Sequence, residues 1–272
     1  MNTTSPTPVL LCLHGWGGSK ESFTELREAL KNDDIQILTP DLPGFGSEPE
    51  PTRSWTNDDY ADWVENWLKK SGKLEAVSGK IYLLGHSHGG RIALKLANRE
   101  SVTSHKSQVT SKLRTHSSQL IAHIFYIEHL FLCAPAGIRH ARHFKRIIGL
   151  LLAKTGSFFL AIPGLNILAP IGKKLLYRLV RVHDYEIASP VMRQTMINVA
   201  REDLRPLLSS VNIPTDLFWG KDDGMTPFSD ALIMEREIPN ATLHSFDGVR
   251  HGVHRERAKE IAEVIREKIL GT

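Results

Sequence analysis

LLGHSHGGRIAL, residues 83–94, places one serine between two histidines inside a fence of glycines. An apolar run, IYLLG (81–85), leads into it, and a helical pattern, RIALKLANR (91–99), leads out. G-x-S-x-G between a strand and a helix marks a nucleophile elbow. The serine takes a strained conformation at the turn, and glycine neighbours let strand and helix approach. Gly85, Gly89 and Gly90 supply those positions and make Ser87 the candidate nucleophile. Metal ligation by His86 and His88 is the competing reading. Residues two apart on a tight turn diverge, and no Cys, His or Asp cluster of metal-binding spacing accompanies them. No metal is expected.

The same strand, turn and helix alternation extends along the chain. VLLCL (9–13), IQIL (35–38), 124–133, IPTDLFWG (213–220) and ATLHSF (241–246) are apolar runs suited to strands buried on both faces. Helical patterns fall at 20–31, 57–70, 90–99 and 255–269. In the second, Thr56 or Asn57 is the cap, followed by acids in the first turn. Alternation of this kind implies an α/β fold with a mostly parallel sheet of about six strands covered on both faces.

Composition bounds the rest. The 272 residues carry 41% apolar and 24% charged side chains and a formal charge of +4, ordinary for a globular protein. Cys12 and Cys133, the two cysteines, lie inside apolar runs and read as buried free thiols of a reducing compartment. The N-terminus has no basic stretch ahead of a long apolar run, so the expected location is cytoplasmic. No dinucleotide fingerprint, P-loop or nucleic-acid module appears, so neither a nucleotide cofactor nor nucleic acid is expected.

A serine nucleophile needs a base, and the base needs an acid. WGKDDGMTP (219–227) and FDGVRHGVH (246–254) each follow a strand and so fall at the same sheet edge as Ser87. Asp223 is the chosen acid, four residues before Pro227, with Asp222 the alternative. His251, at the first turn after its strand, is preferred to His254, which is expected to open the final helix. HGWGG (14–18) follows the first strand and offers glycine-rich backbone to a developing oxyanion, with the amides of Trp16 and His88 the natural pair. DLPGFG (41–46) makes a compact loop beside them. Its Asp41 reads as a loop-stabilising acid, because the elbow position is already taken by serine.

HGWGG, DLPGFG, GHSHGG, WGKDDGMTP and the late histidine stand in the order found in α/β-hydrolases, which the chain resembles over almost its whole length. HGWG with DLPGFG is particularly similar to small carboxylesterases acting on methyl esters. The resemblance implies a serine hydrolase of carboxylic esters with Ser87, Asp223 and His251 as its triad and no cofactor. Thioesterase, lactonase and C–C bond hydrolase chemistry on the same triad, or a non-catalytic binding protein on the same fold, are the alternatives. It also implies a helical cap, here after the fourth strand present, because the first two usual strands are missing. The expected organisation is a core of residues 1–137 and 209–272, a cap at 138–208, and a polar insertion at 100–119 inside the core.

From Arg139 to Arg181 the expected cap carries lysine and arginine but no acid, around the apolar stretch RIIGLLLAKTGSFFLAIPGLNILAPIG. Three readings compete: a solvated basic exterior over an apolar pocket lining, docking of an acidic partner such as an acyl carrier protein, and adsorption to a membrane surface. The first is preferred. The expected small-molecule substrate is an ester of a small or medium acyl group, with no particular residue assigned to its contact. Arg91, after GHSHGG, is expected in an ion pair at its helix start.

Overall fold

The computed structural model describes residues 7–72, 80–110, 125–139 and 188–271. Six strands form one parallel sheet: β1 (Val9–Leu13), β2 (Gln36–Leu38), β3 (Lys80–His86), β4 (Tyr126–Cys133), β5 (Thr215–Gly220) and β6 (Ala241–Phe246). Their order is β2-β1-β3-β4-β5-β6. Continuous apolar runs become central strands because helices cover both faces: every residue of β1 and β5 is buried. The sequence order reverses between β1 and β3. In open α/β sheets such a switch point, at the strands' carboxyl ends, is where ligands bind. HGWGG and GHSHGG are the segments that leave β1 and β3 there.

The helices are α1 (Thr24–Ala29), α2 (Asn57–Ser71), α3 (His88–Thr110), α4 (Pro190–Arg201), α5 (Phe228–Glu237), α6 (Val253–Glu256) and α7 (Ala258–Leu270). The expected helix at 20–31 is split into a 3-10 turn, Lys20–Phe23, and the short α1. Thr56 is the cap of α2. Its Oγ accepts from Asp59 N at 3.3 Å while Asp59 Oδ2 accepts from Thr56 N at 2.7 Å. Such a cap is worth about 1 kcal/mol. Tyr60, Ala61, Val64 and Leu68 form the buried stripe of α2.

One expectation meets a different outcome. The helix read at 90–99 runs on to Thr110, so the first half of the polar segment 100–119 continues α3. At about 1.5 Å per helical residue and about 3.3 Å per strand residue, α3 outruns β3 by roughly 10 Å. Residues 111–119 lie outside the described residues, as do 140–187 of the expected cap. The described part of that cap holds α4 and a 3-10 turn at Arg205–Ser210. Here Thr195 Oγ accepts from Trp55 N at 2.9 Å, and Asn57 Nδ2 donates to Val199 O at 3.1 Å.

Cys12 lies on β1 and Cys133 on β4, with β3 between them. Two strand spacings are about 9–10 Å, more than the roughly 7 Å a disulfide spans. Both thiols are free and buried, and burial pushes both above their ordinary range.

Candidate active site

At the end of β3, Ser87 has φ 51°, a conformation that L-residues rarely adopt and that costs about 1–3 kcal/mol. The turn is held from both sides. Ser87 N donates to Cys133 O at 3.2 Å, and Ser87 O accepts from Gly90 N (3.1 Å), Arg91 N (3.3 Å) and Ala136 N (3.0 Å). A Cβ on Gly85 would come within 2.6 Å of the Gly89 carbonyl, and one on Gly89 would strike the Leu13 carbonyl. Glycine is therefore required at both places by close approach.

Asp223 follows β5 and is 6% exposed. Its Oδ2 lies 2.7 Å from His251 Nδ1 and accepts from Thr226 Oγ at 2.8 Å, while Oδ1 accepts from Met225 N (2.7 Å) and Thr226 N (3.0 Å). Burial pushes this carboxyl up, but the hydrogen bonds from His251, Met225 and Thr226 outweigh burial and hold it below its ordinary value. A carboxylate only accepts, so the His251 proton sits on Nδ1 and leaves Nε2 bare. That Nε2 is buried and has no hydrogen-bond partner among the described residues. Asp222, the alternative acid, is exposed, and its amide donates to Val249 O at 3.0 Å. His254 sits within α6 ahead of the final helix, its ring tilted against that of His86 with centroids 3.7 Å apart. Burial pushes it down to about 3.

The segments after β1 and β2 are tied together. Leu42 N donates to His14 Nε2 at 2.9 Å, and His14 Nδ1 donates to Gly15 O at 2.8 Å. Asp41 accepts from Lys20 N (2.6 Å), Ser47 N (2.9 Å) and Ser47 Oγ (2.8 Å), the loop-holding role expected of it. Trp16 and His88, the expected amide pair, stand side by side, their rings edge-on at 5.4 Å. Phe45 closes on Trp16 at 4.9 Å and Tyr60 on His88 at 4.8 Å. Burial pushes His88 down to about 3, so its ring stays neutral and packs as an aromatic body. Arg91 is buried, and its Nη1 donates to the Glu202 carbonyl at 3.0 Å. A cleft of about 390 Å³ opens beside the glycine-rich loop, lined in part by Trp16, Ser22, His86, His254 and Arg255.

Two groupings were not read from the sequence. His86 Nε2 lies 3.1 Å from the His251 carbonyl. Asp216 on β5 sits between His129 of β4 (2.7 Å) and His244 of β6 (2.5 Å). Neither has a local signal, because the partners are 165, 87 and 28 residues apart. Among the described residues no group of three His, Cys, Asp or Glu side chains is placed to hold a metal ion. No helix among them is long and apolar enough to cross a membrane.

Residues 10–264 match the Alpha/beta hydrolase family. The chain belongs to that family. As an α/β-hydrolase it is similar to the uncharacterized hydrolase YugF of Bacillus subtilis, at 28% identity over 96% of this chain and 89% of that protein. It is also similar to a pimeloyl-[acyl-carrier protein] methyl ester esterase of a Shewanella species, at 28% identity over 84% of this chain and 78% of that protein. Among solved structures, the esterase EaEST of Exiguobacterium antarcticum overlays with a TM-score of 0.66 at 20% identity, over 98% of this chain and 93% of that one. That overlay speaks for the shared fold. The chain is a hydrolase.

Proposed function

We propose that this hydrolase cleaves carboxylic esters through a Ser87-bound acyl-enzyme. The observation that carries the reading is the Asp223–His251 contact at 2.7 Å, which leaves His251 Nε2 buried and unpartnered at the edge where Ser87 is held at φ 51°. Nε2 takes the proton of Ser87 Oγ as the oxygen attacks the acyl carbon, and Asp223 stabilises the imidazolium that forms. The backbone amides of Trp16 and His88 receive the oxyanion. Collapse of that intermediate expels the alcohol, which takes its proton from His251. Water, deprotonated by His251, then attacks the acyl carbon, releases the carboxylic acid and returns the proton to Ser87.

The names of relatives support ester substrates: one is a methyl ester esterase of a carrier-bound acyl group. Thioesters, lactones and C–C bonds remain open to the same triad. The test is a panel of p-nitrophenyl esters of graded acyl length, run beside Ser87→Ala and with a fluorophosphonate probe. Ser87-dependent turnover and labelling are expected. Labelling no stronger in wild type than in Ser87→Ala would sink the reading in favour of a binding role.

A basic cap over an apolar pocket is the preferred reading of Arg139–Arg181, with an acidic carrier as the second. A carrier makes turnover of the carrier-bound ester fall steeply as the Debye length shrinks from about 10 Å at 0.1 M salt to about 3 Å at 1 M. A neutral ester should barely respond. Parallel salt curves for the two substrates would remove the carrier.

A further inference from the structure

The residue before the nucleophile has its own contact with the base. His86 is 8% exposed, and its Nε2 lies 3.1 Å from the main-chain carbonyl of His251. A carbonyl only accepts, so the His86 proton sits on Nε2 and is donated there. The ring is fixed on its other sides. It lies tilted against the His254 ring at 3.7 Å and against the His251 ring at 4.9 Å. A Cβ on Gly15 would come within 2.9 Å of its Nδ1, so the loop after β1 closes that side too.

Besides the His251–Asp223 contact, two hydrogen bonds to main-chain carbonyls hold the loop that carries the base. One, from Asp222 N to Val249 O at 3.0 Å, ties it to the end of β5, next to the acid. The other, from His86, ties it to the end of β3, next to the nucleophile. We propose that His86 is a positioning residue: its Nε2–H fixes the main chain of His251, and thereby sets the reach of the His251 ring toward Ser87 Oγ. The assignment rests on the serine-hydrolase reading above. Burial, reinforced by His254 and His251, keeps His86 well below the ordinary histidine range. It stays a neutral donor while His251 gains and loses its proton.

The physical reason to expect an effect on rate is geometric. A misplacement of about 1 Å in a reacting group costs up to roughly 100-fold in rate. Binding of the ester, unlike proton transfer, needs no exact base position. The test uses the full chain with Phe or Gln at position 86. His86→Phe keeps an aromatic ring on His254 but has no donor; His86→Gln keeps a donor without the ring. In His86→Phe, kcat on a p-nitrophenyl ester is expected to fall about 10- to 100-fold, with KM within about threefold of wild type. The rate of fluorophosphonate labelling should fall in parallel. His86→Gln should recover most of the lost kcat.

A purely structural histidine predicts the opposite ranking, because a buried aromatic replaces it better than a buried amide does. Unchanged kcat in folded His86→Phe, equal losses in both variants, or a loss confined to KM would each overturn the assignment. If His86→Phe does not fold, His86→Met, which also lacks the donor, takes its place in the same comparison. Wild type without Ser87-dependent turnover would instead remove the underlying hydrolase reading. Turnover in wild type with full kcat in His86→Phe removes only the role of His86.

Discussion

Two aspartates, one on β5 and one in the turn after it, meet histidines at hydrogen-bonding distance, and only one of them serves the proposed chemistry. Asp216 lies near the start of β5, inside the sheet, between His129 at 2.7 Å and His244 at 2.5 Å. Asp223 lies in the turn after β5, against His251 at 2.7 Å. Both carboxyls are pushed up by burial, and both end below their ordinary value because hydrogen bonds outweigh it, from histidines alone at Asp216 and from His251, Met225 and Thr226 at Asp223. What separates them is position. Asp216 stands opposite Phe131 in register, with His129 against Phe131 and His244 stacked on Phe218. Asp223 stands at the carboxyl edge, where the elbow serine also emerges, and its histidine keeps a bare, buried nitrogen. An acid on a histidine is therefore a structural device by default; the strand edge and the serine turn it into a candidate relay.

The largest effect is expected from removing the parts that only the edge pair serves. Ser87→Ala or His251→Ala should cut kcat by roughly 10⁴-fold or more. Steady-state turnover of a p-nitrophenyl ester, with the melting temperature as a control for folding, measures this. A folded His251→Ala variant with near-normal kcat would leave the two aspartates without the distinction drawn here.

Next in size is the contrast between the acids. Asp223→Asn should lose about 10³- to 10⁴-fold in kcat, because the amide no longer holds His251 in the tautomer that leaves Nε2 bare. Asp216→Asn should leave kcat within a few-fold, as should Asp222→Asn at an exposed position. If Asp222→Asn were the damaging change instead, the turn after β5 would have to rearrange before catalysis.

These contrasts also show what the sequence made legible. The strands are readable because β1, β3 and β5 carry short apolar runs, VLLCL, IYLLG and LFWG, and the candidate site is readable because its parts leave the carboxyl ends of β1, β3, β5 and β6. Helix α5 was missed: its apolar residues stand consecutively, ALIM at 231–234, with Ala231 and Met234 buried and Leu232 exposed. Such a run has neither the helical period nor the strand period. The end of α3 was missed for a related reason, since ESVTSHKSQVT has no apolar stripe to give a helix away. The Asp216 cluster and the His86 contact arise only when distant strands come together. One-dimensional spacing holds no trace of either.

Asp216 also predicts a stability effect with a definite sign. Replacing its carboxylate leaves two imidazole N–H groups poorly matched, that of His129 with little access to water, a loss of about 1–3 kcal/mol for Asp216→Asn. Because the folded carboxyl is depressed, its contribution is complete above the unfolded value of about 3.9 and is lost as pH falls toward the depressed folded value. Urea melts should therefore separate wild type from Asp216→Asn fully at pH 7, and the gap should narrow below about pH 4. A gap that widened on acidification would contradict the depressed carboxyl.

The smallest expected effect lies within the cluster itself. His129 and His244 bind the two oxygens of the same carboxylate, but the His129 side chain is 11% exposed and the His244 side chain 29%. His244 lies on β6, the edge strand, where water reaches its ring and can replace a lost partner. His129 lies on β4, interior to the sheet, where water has less access. A hydrogen bond open to solvent contributes about 1 kcal/mol, whereas a buried hydrogen-bonding group left unmatched costs about 1–3 kcal/mol. His244→Gln should accordingly cost less stability than His129→Gln, and neither should change kcat, because neither histidine touches the serine edge. Denaturant melts of the two variants, read beside their kcat values, test both halves. Equal stability losses would mean the edge strand shields its histidine as well as the interior does. A fall in kcat for either variant would mean that the Asp216 cluster and the Asp223 pair are coupled through β5, and the two regions would no longer count as independent.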